Sequence, residues 1–568
     1  MLRRRTLLAL LSATALLRLA HLLAVRDAPF VGQLALDSQE YDRWARAIAA
    51  GDWLGSAPFF QAPLYPYLVA LVYRFVPLAA AAPLAVYLLQ IAVAVVGCWA
   101  LVRAGEALAG PRAAGATGLL FALYTPFWFY DVQLMKESFA VSAVCLLLLL
   151  LVKARALDRS VLWFSVGLVA AFLALLRENM LLVVPVLLLL TWREKTGKEW
   201  LWALRRCGLL LLGLSLPLVV VASRNAALGG GFLPTTSQGG VNFWIGNNPS
   251  ADGTYRPLVP GKQVPAYERE GARILAEQAV GHPLAADEVS GYWLRRSLSW
   301  ARAEPLAFVR LQFAKLGLYW DGYEWPDAVD YYWMKTLSRP LALPLLEWSA
   351  AAFLALWGVL LERRRLAVWA PVLLFELGWM LSVVAFFVFS RYRLPAVPGL
   401  LLLAAIPMAR AAELFASGER RKSGAMWAGV AILWLAPHVP GYAARVDLVE
   451  FNLGRLAEER GDRGEAATHY ERTLAADPNN LSATLNLGTL AARAGDYATA
   501  RVRFERAVAL APDSDDAHAN LGAALLALGD LAVAERELTR ALELNPENRF
   551  ARHNLEILRQ RRSGPAPP

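Results

Sequence analysis

The sequence predicts an all-α protein: a multi-pass transmembrane helical bundle of about 11 spans, an extracytoplasmic loop domain and a C-terminal α-solenoid. Three observations predict it. Of 568 residues, 57% are hydrophobic and only 18% charged, which is too apolar for a soluble globular chain. The long apolar runs are confined to residues 1–440, and the basic clusters between them alternate in a way that puts them on one side of a bilayer. Beyond Gly441 the chain repeats itself every 34 residues. The predicted parts are an N-terminal membrane module, 1–222, a loop domain, 223–341, further spans, 342–440, and a solenoid, 441–562.

A bilayer core takes about 20 apolar helical residues. Spans fall near 6–25, 84–103, 113–130, 138–152, 160–176, 179–192, 207–222, 342–361, 366–389, 393–410 and 424–440, while 63–80 reads as an interfacial helix or a partial crossing. The first reads as an uncleaved helix, because Arg18 and His21 lie inside it and no small-residue cleavage site follows. A cleaved signal peptide leaves the next loop on the same side.

The clusters Arg3-Arg4-Arg5, Lys153 to Arg159, Arg193 to Arg206, Arg363-Arg364-Arg365 and Arg410 to Lys422 then share one face, as cytoplasmic loops do. The other face receives the 26–83 loop, the Asp131 to Glu137 turn, Arg177-Glu178-Asn179, the 223–341 loop, Ser390-Arg391-Tyr392 and everything after 440. This is the arrangement of a bacterial inner (cytoplasmic) membrane protein with a periplasmic arm. The net charge of +10 belongs largely to orientation signals, so no nucleic acid is expected. Cys98, Cys145 and Cys207 lie far apart and the six histidines are scattered, with no disulfide framework or metal spacing.

In the C-terminal part Asn-Leu-Gly recurs at Asn452, Asn486 and Asn520, Gly-Asp at Gly461, Gly495 and Gly529, and proline at Pro478, Pro512 and Pro546, always 34 apart. Ala466, Ala500 and Ala534, each followed four residues on by Tyr470, Phe504 or Leu538, keep the same register. This pattern resembles the tetratricopeptide repeat, a helix-turn-helix unit. Three repeats and a final helix near 549–561 suffice for a capped stack. The resemblance implies a concave surface for a peptide or protein partner; the plainer role is a spacer or an assembly contact.

Chemistry is then sought in the membrane part, where ionisable residues at span margins are costly to bury. Four groups qualify: Asp37 with Glu40; Asp131 with Lys136 and Glu137; Arg177 with Glu178 and Asn179; and Arg391 with Arg393. A carboxylate can take a proton from an attacking hydroxyl while arginines hold a departing phosphate. Gly229-Gly230-Gly231 lacks the Lys-Ser or Lys-Thr of a nucleotide loop, so a membrane lipid is the simplest phosphate carrier. The run from Gln238 to Asn248 offers Asn242, Trp244 and Asn247 to a sugar; an ordered surface turn explains it equally. Trp293, Arg296, Trp300 and Arg310 fall in a probable interfacial helix whose plainer role is packing. Plainer roles also exist for Asp37 as a helix cap, for Asp131 and Glu137 as turn residues, and for Arg391 and Arg393 as headgroup anchors.

At Asp37, Gly51-Asp52-Trp53, Pro63-Leu64-Tyr65-Pro66-Tyr67, Asp131, Lys136-Glu137 and Arg391-Tyr392-Arg393-Leu394-Pro395, the chain resembles the polyprenyl-phosphate-dependent GT-C glycosyltransferases of family 39, the protein O-mannosyltransferase and aminoarabinose transferase kind. The resemblance spans about 1–410 and implies an inverting enzyme without a cofactor. A divalent metal has room but is not expected. It implies that Asp37 is the catalytic base, that Asp131 and Glu137 help bind donor or acceptor, and that Arg391 and Arg393 lie near the lipid phosphate. Asp37 is followed by Ser-Gln-Glu where the family commonly has an Asp-Glu pair, which opens the base role to Glu40. The implied partners are a polyprenyl-phosphate sugar, an acceptor protein or glycan, membrane lipids, and a peptide on the arm. Alternatives are a glycan ligase or polymerase of the O-antigen type and a non-catalytic membrane scaffold; the scaffold predicts Asp37 remote from Asp131 and Arg391. Charges at the outer mouth instead of the midplane speak against a transporter.

Overall fold

The structure, a computed structural model, describes residues 1–76, 82–192, 199–258, 265–327, 329–438 and 442–563. The basic residues within 193–198 and the predicted solenoid boundary at 439–441 lie outside them. The described chain is helical, with one isolated β-bridge between Tyr124 and Leu346.

Six helices among the described residues are long and apolar enough to cross a membrane: Arg4–Val25, Ala82–Leu123, Glu137–Leu157, Glu199–Ala227, Arg363–Val384 and Ser390–Ala416. This corrects the expected count of about 11. The spans expected at 84–103 and 113–130 are two helices within Ala82–Leu123 that meet at a non-helical turn at Gly110, whose φ is 83°; the second ends at Leu123, before the short helix Thr125–Asp131. Glycine meets that left-handed turn without a Cβ penalty, and Pro111 restarts the helix with its ring where no amide donor is needed. Gly105 then faces Thr117, and Gly118 faces Val102. Three other expected spans form helices of only 17, 14 and 16 residues, Ser160–Leu176, Trp348–Leu361 and Arg420–Leu435, which reach roughly 21–26 Å against a hydrocarbon core of about 30 Å. The 179–192 stretch breaks into the 3₁₀ turn Glu178–Val183 and the helix Val184–Leu189.

Leu16, Leu23, Val96, Val220, Leu356 and Leu381 point outward and are exposed, while Arg18, Asp131, Glu137, Arg177 and Arg393 are buried. Apolar outside with charges inside is the polarity that a lipid solvent selects. Close helix contacts rest on small residues: a Cβ on Gly167 would strike the Leu210 carbonyl, and one on Gly213 the Phe164 carbonyl. Two glycines thus bring Ser160–Leu176 and Glu199–Ala227 together backbone to backbone.

The chain divides into two units, one of residues 1–256, 264–327 and 334–443, the other of 257–263, 328–333 and 444–568. In the second, three helix pairs follow one another: Val446–Glu459 with Arg463–Ala476, Leu481–Arg493 with Tyr497–Leu510, and Asp515–Leu528 with Leu531–Leu544, before the final helix Arg549–Ser563. The 34-residue period has a physical basis at each step. Gly461, Gly495 and Gly529 turn with φ of 85°, 83° and 86°. Asp462, Asp496 and Asp530 next to them accept backbone N–H bonds at the following helix start. Gly454, Gly488 and Gly522 leave room for Tyr470, Phe504 and Leu538 to cross the pair, and Ala551, Leu555 and Leu558 of the last helix close the apolar core.

One pair changes sign along the stack. In the first repeat Glu450 meets Nδ1 of His469 at 2.6 Å, and in the third His518 meets Glu537 at 2.6 Å. Since 518 and 537 lie 68 residues beyond 450 and 469, two repeat lengths, the partners have exchanged helices.

Candidate functional site

Asp37 opens the helix Asp37–Ala49. The N-cap position is Leu36, at φ 51° and ψ −124°, whose apolar side chain makes no capping bond. A bulky residue at positive φ is strained, and this backbone sends the Asp37 carboxylate inward. Its Oδ2 accepts from Arg391 Nη1 at 2.8 Å and its Oδ1 from Gln61 Nε2 at 3.3 Å. The same Arg391 nitrogen lies 2.9 Å from Asp327 Oδ2, so one guanidinium stands between two carboxylates. Burial works to raise the Asp37 carboxyl, but the Arg391 charge and hydrogen bond, with Lys136 and Gln61, outweigh it and hold it below the ordinary carboxylate range. Burial wins at Asp327, pushed up to about 6 with Arg391 opposing and Asp37 and Glu137 adding to the rise.

Beneath this pair Arg177 donates to Glu137 Oε1, reaches the Arg391 carbonyl at 3.5 Å and lies over the Tyr392 ring at 4.8 Å. Lys136 is buried beside them, and burial first of all pushes its ammonium down to about 8, with Glu178 and Glu137 working against the shift. Asp37, Lys136, Glu137, Arg177 and Arg391 therefore form one charged cluster, to which Asp327 also belongs.

The remaining expected residues lie elsewhere in the unit. Glu40 is turned to Arg43 on its own helix surface. Asp131 is buried against Arg18, Nε to Oδ2 2.6 Å, and accepts from Ser138. Arg393, with 1% exposure, donates to the Tyr319 and Tyr323 carbonyls at 3.1 and 2.8 Å, to Ser390 Oγ at 3.0 Å and to Glu324 at 3.3 Å, with Trp348 beneath it. It clamps the 319–324 backbone. Asn247, fully buried, spends its amide on the Phe243 and Ala385 carbonyls at 2.9 and 2.8 Å and accepts from Gln312 and Lys315 at 2.9 and 2.8 Å. Trp244 packs on Trp293, ring centres 5.7 Å apart, with Arg296 4.7 Å from its centre. Asn242 is half-buried on the short helix Gly239–Gly246.

Sequence reasoning missed Asp327, Arg18 as the partner of Asp131, and Glu268, which accepts from the Tyr255 hydroxyl at 3.1 Å and is pushed up to about 7 chiefly by burial. The available signals were an acid after Trp325-Pro326 in an aromatic loop and an arginine within an apolar helix. Within the cluster Asp37 and Asp327 face Arg391 and Glu137 faces Arg177, and such a set holds helices together as readily as it holds a ligand.

The tetratricopeptide repeat family matches residues 451–515 and again 491–555. Among solved structures, the chain is similar to the first tetratricopeptide domain of Spaghetti (RPAP3) bound to an HSP90 peptide, at 30% identity over 21% of this chain and 95% of that one, with a TM-score of 0.21. The first such domain of human RPAP3 matches at 31% over 20% and 91%, TM-score 0.20. A mutant O-GlcNAc transferase of Thermobaculum terrenum matches at 30% over 21% and 23%, TM-score 0.20. No curated protein matches the chain.

These findings correct the expectation of an inverting glycosyltransferase fed by a polyprenyl-phosphate sugar. Both family matches, of the tetratricopeptide repeat, fall on the arm at 451–515 and 491–555. Arg391, expected to take a lipid phosphate, is already met by Asp37 and Asp327. The findings back the scaffold alternative, although Asp37 is not remote from Arg391 as that alternative predicted. What the chain shares with known families is its tetratricopeptide arm, carried by a chain with several apolar helices fit to cross a membrane.

Proposed function

We propose that this chain is a membrane-anchored scaffold whose repeat arm binds an extended peptide or helix of a partner protein. The observation that carries the reading is the in-register series Asn452, Asn486 and Asn520, one carboxamide at the same place on the first helix of each repeat, half-buried at Asn486 and Asn520 and buried at Asn452. Stacked repeats line such positions up along one surface, and a carboxamide both donates and accepts, as a peptide group does. In this reading residues 1–222 and 342–440 are the anchor, 223–341 an extracytoplasmic loop domain and 441–562 the arm. The distribution of the basic clusters supports an arm on the periplasmic side of a bacterial inner membrane.

A photo-crosslinking side chain at Thr489 or Ala523 of the full chain, activated in intact cells, tests this. A discrete crosslinked protein that disappears when Asn486→Ala and Asn520→Ala are combined supports binding along the arm. An unchanged pattern, or none, removes it. A cysteine at Ser482 labelled from outside by an impermeant maleimide supports the periplasmic assignment; protection until the membrane is opened overturns it.

A further inference from the structure

Two buried ion pairs meet at one cavity. Arg18 is joined to Asp131, and Arg177 to Glu137. Three of their polar atoms, Arg18 Nη2, Glu137 Oε2 and Arg177 Nε, are buried and have no hydrogen-bond partner. Of the three residues, Arg18 and Glu137 line that cavity, and their two leftover groups are the ones to be met there. Arg18 is fully buried and Glu137 is 2% exposed, so neither atom is satisfied by bulk solvent. Both residues line the same cavity of about 10 Å³, together with Asp131, Ser142, Ala94 and Val141.

We propose that this cavity is a binding site for a single water molecule, which accepts from Arg18 Nη2 and donates to Glu137 Oε2. Three physical arguments select water. The space is about that of one water probe sphere, and a buried water needs two to four polar partners. Arg18, Asp131, Glu137 and Arg177 sum to zero charge, so any ion placed among them would itself be uncompensated. The two leftover groups are one donor and one acceptor, which a lone cation or anion cannot serve together. Ser142 Oγ, which donates to the Val93 carbonyl at 3.0 Å, retains lone pairs to take the second water proton.

The water joins the two pairs into one polar network across the helices Arg4–Val25 and Glu137–Leu157. Leaving the groups unmet carries the penalty of a buried charged donor and acceptor; the bridging water removes it. This proposal does not depend on the scaffold reading.

The test is a structure of the full chain in lipid nanodiscs at a resolution that shows ordered waters, together with a double-mutant cycle. A density peak within hydrogen-bond distance of both Arg18 Nη2 and Glu137 Oε2 is expected; an empty cavity overturns the proposal, as does a peak that is replaced by rubidium or bromide. In the cycle, Arg18→Lys and Glu137→Gln are expected to lower the melting midpoint together by less than the sum of their separate shifts. In a Val141→Leu background, where the added methylene fills the space, that shortfall is expected to vanish. Strict additivity in the native background, or a shortfall that survives Val141→Leu, overturns the bridge. Should a variant fail to fold, the density of the native chain decides alone.

Discussion

Arg391 Nη1 lies 2.8 Å from Asp37 Oδ2, although 354 positions separate the two residues in sequence, and it lies 2.9 Å from Asp327 as well. One cation thus ties Asp37 at the start of its helix and Asp327 to the beginning of the long helix Ser390–Ala416. Replacing it, as in Arg391→Met, leaves two carboxylates facing each other without the guanidinium that bonds both, with only the more distant charges of Lys136 and Arg177 to oppose them. The expected loss is about 3–5 kcal/mol of stability, read by denaturation in detergent, whereas Asp37→Asn is expected to cost less because Asp327 still pairs with Arg391. A loss from Asp37→Asn that equals or exceeds that of Arg391→Met would contradict this account.

The two acids of this triad carry opposite pH signatures. An unfolded aspartate titrates near pH 4, and folded Asp327 titrates at about 6. Between about 4 and about 6 the folded chain therefore holds a proton that the unfolded chain has released, and this group's contribution to stability falls as pH rises through that window. Asp37 lies below its ordinary value, so its contribution is present above about pH 4 and is lost as pH falls toward its folded value. Melting midpoints of Asp327→Asn across this range are expected to lack the decline between about 4 and 6 while keeping the loss at lower pH.

The glycine contact between Ser160–Leu176 and Glu199–Ala227 gives a third expectation. Gly167→Leu or Gly213→Leu cannot be absorbed by a flexible side chain, because backbone carbonyls stand where the new atoms would go. Each is expected to destabilise the bundle by several kcal/mol, on the order of a severe overpacking change. Gly208→Leu, on the same helix with nothing within 4 Å, is expected to be nearly silent. Equal melting of all three variants would show that the contact is not as drawn.

In the arm, His469→Ala and Glu450→Ala are each expected to cost about 1 kcal/mol. The exchanged pair Glu450→His with His469→Glu, which copies the order found at His518 and Glu537, is expected to restore the native melting curve. Failure of the exchange to recover more than either single change would mean that the pair contributes nothing specific.

How far these features can be read from sequence depends on their range. The repeat arm is legible because its determinants are local and recur: glycine at the left-handed turn, aspartate at the next helix start, a small residue opposite a large one. The apolar helices are legible as runs, but their count is not. Length alone does not reveal that the run 113–130 breaks its helix after Leu123, or that a run such as 342–361 starts its helix only at Trp348. Arg391 and Arg393 look equivalent in sequence, yet two residues apart on a helical turn their side chains point in nearly opposite directions. One meets Asp37 and the other binds the 319–324 backbone. The partner of Asp131 was out of reach for a different reason: Arg18 lies 113 residues away, and pairing across that distance is set by helix packing.

The exchanged His–Glu pairs also act on assembly. Three similar hairpins in a row invite the first helix of one repeat to close on the second helix of another. If Glu450 took the second helix of the third repeat, it would face Glu537, and His518 would be left to His469. The cognate closures join an acid to an imidazole, and the crossed ones join like to like. The inversion works as an address label that marks which half belongs with which in the first and third repeats, at two side chains in each, while the second repeat carries Thr484 and Arg503 at these positions.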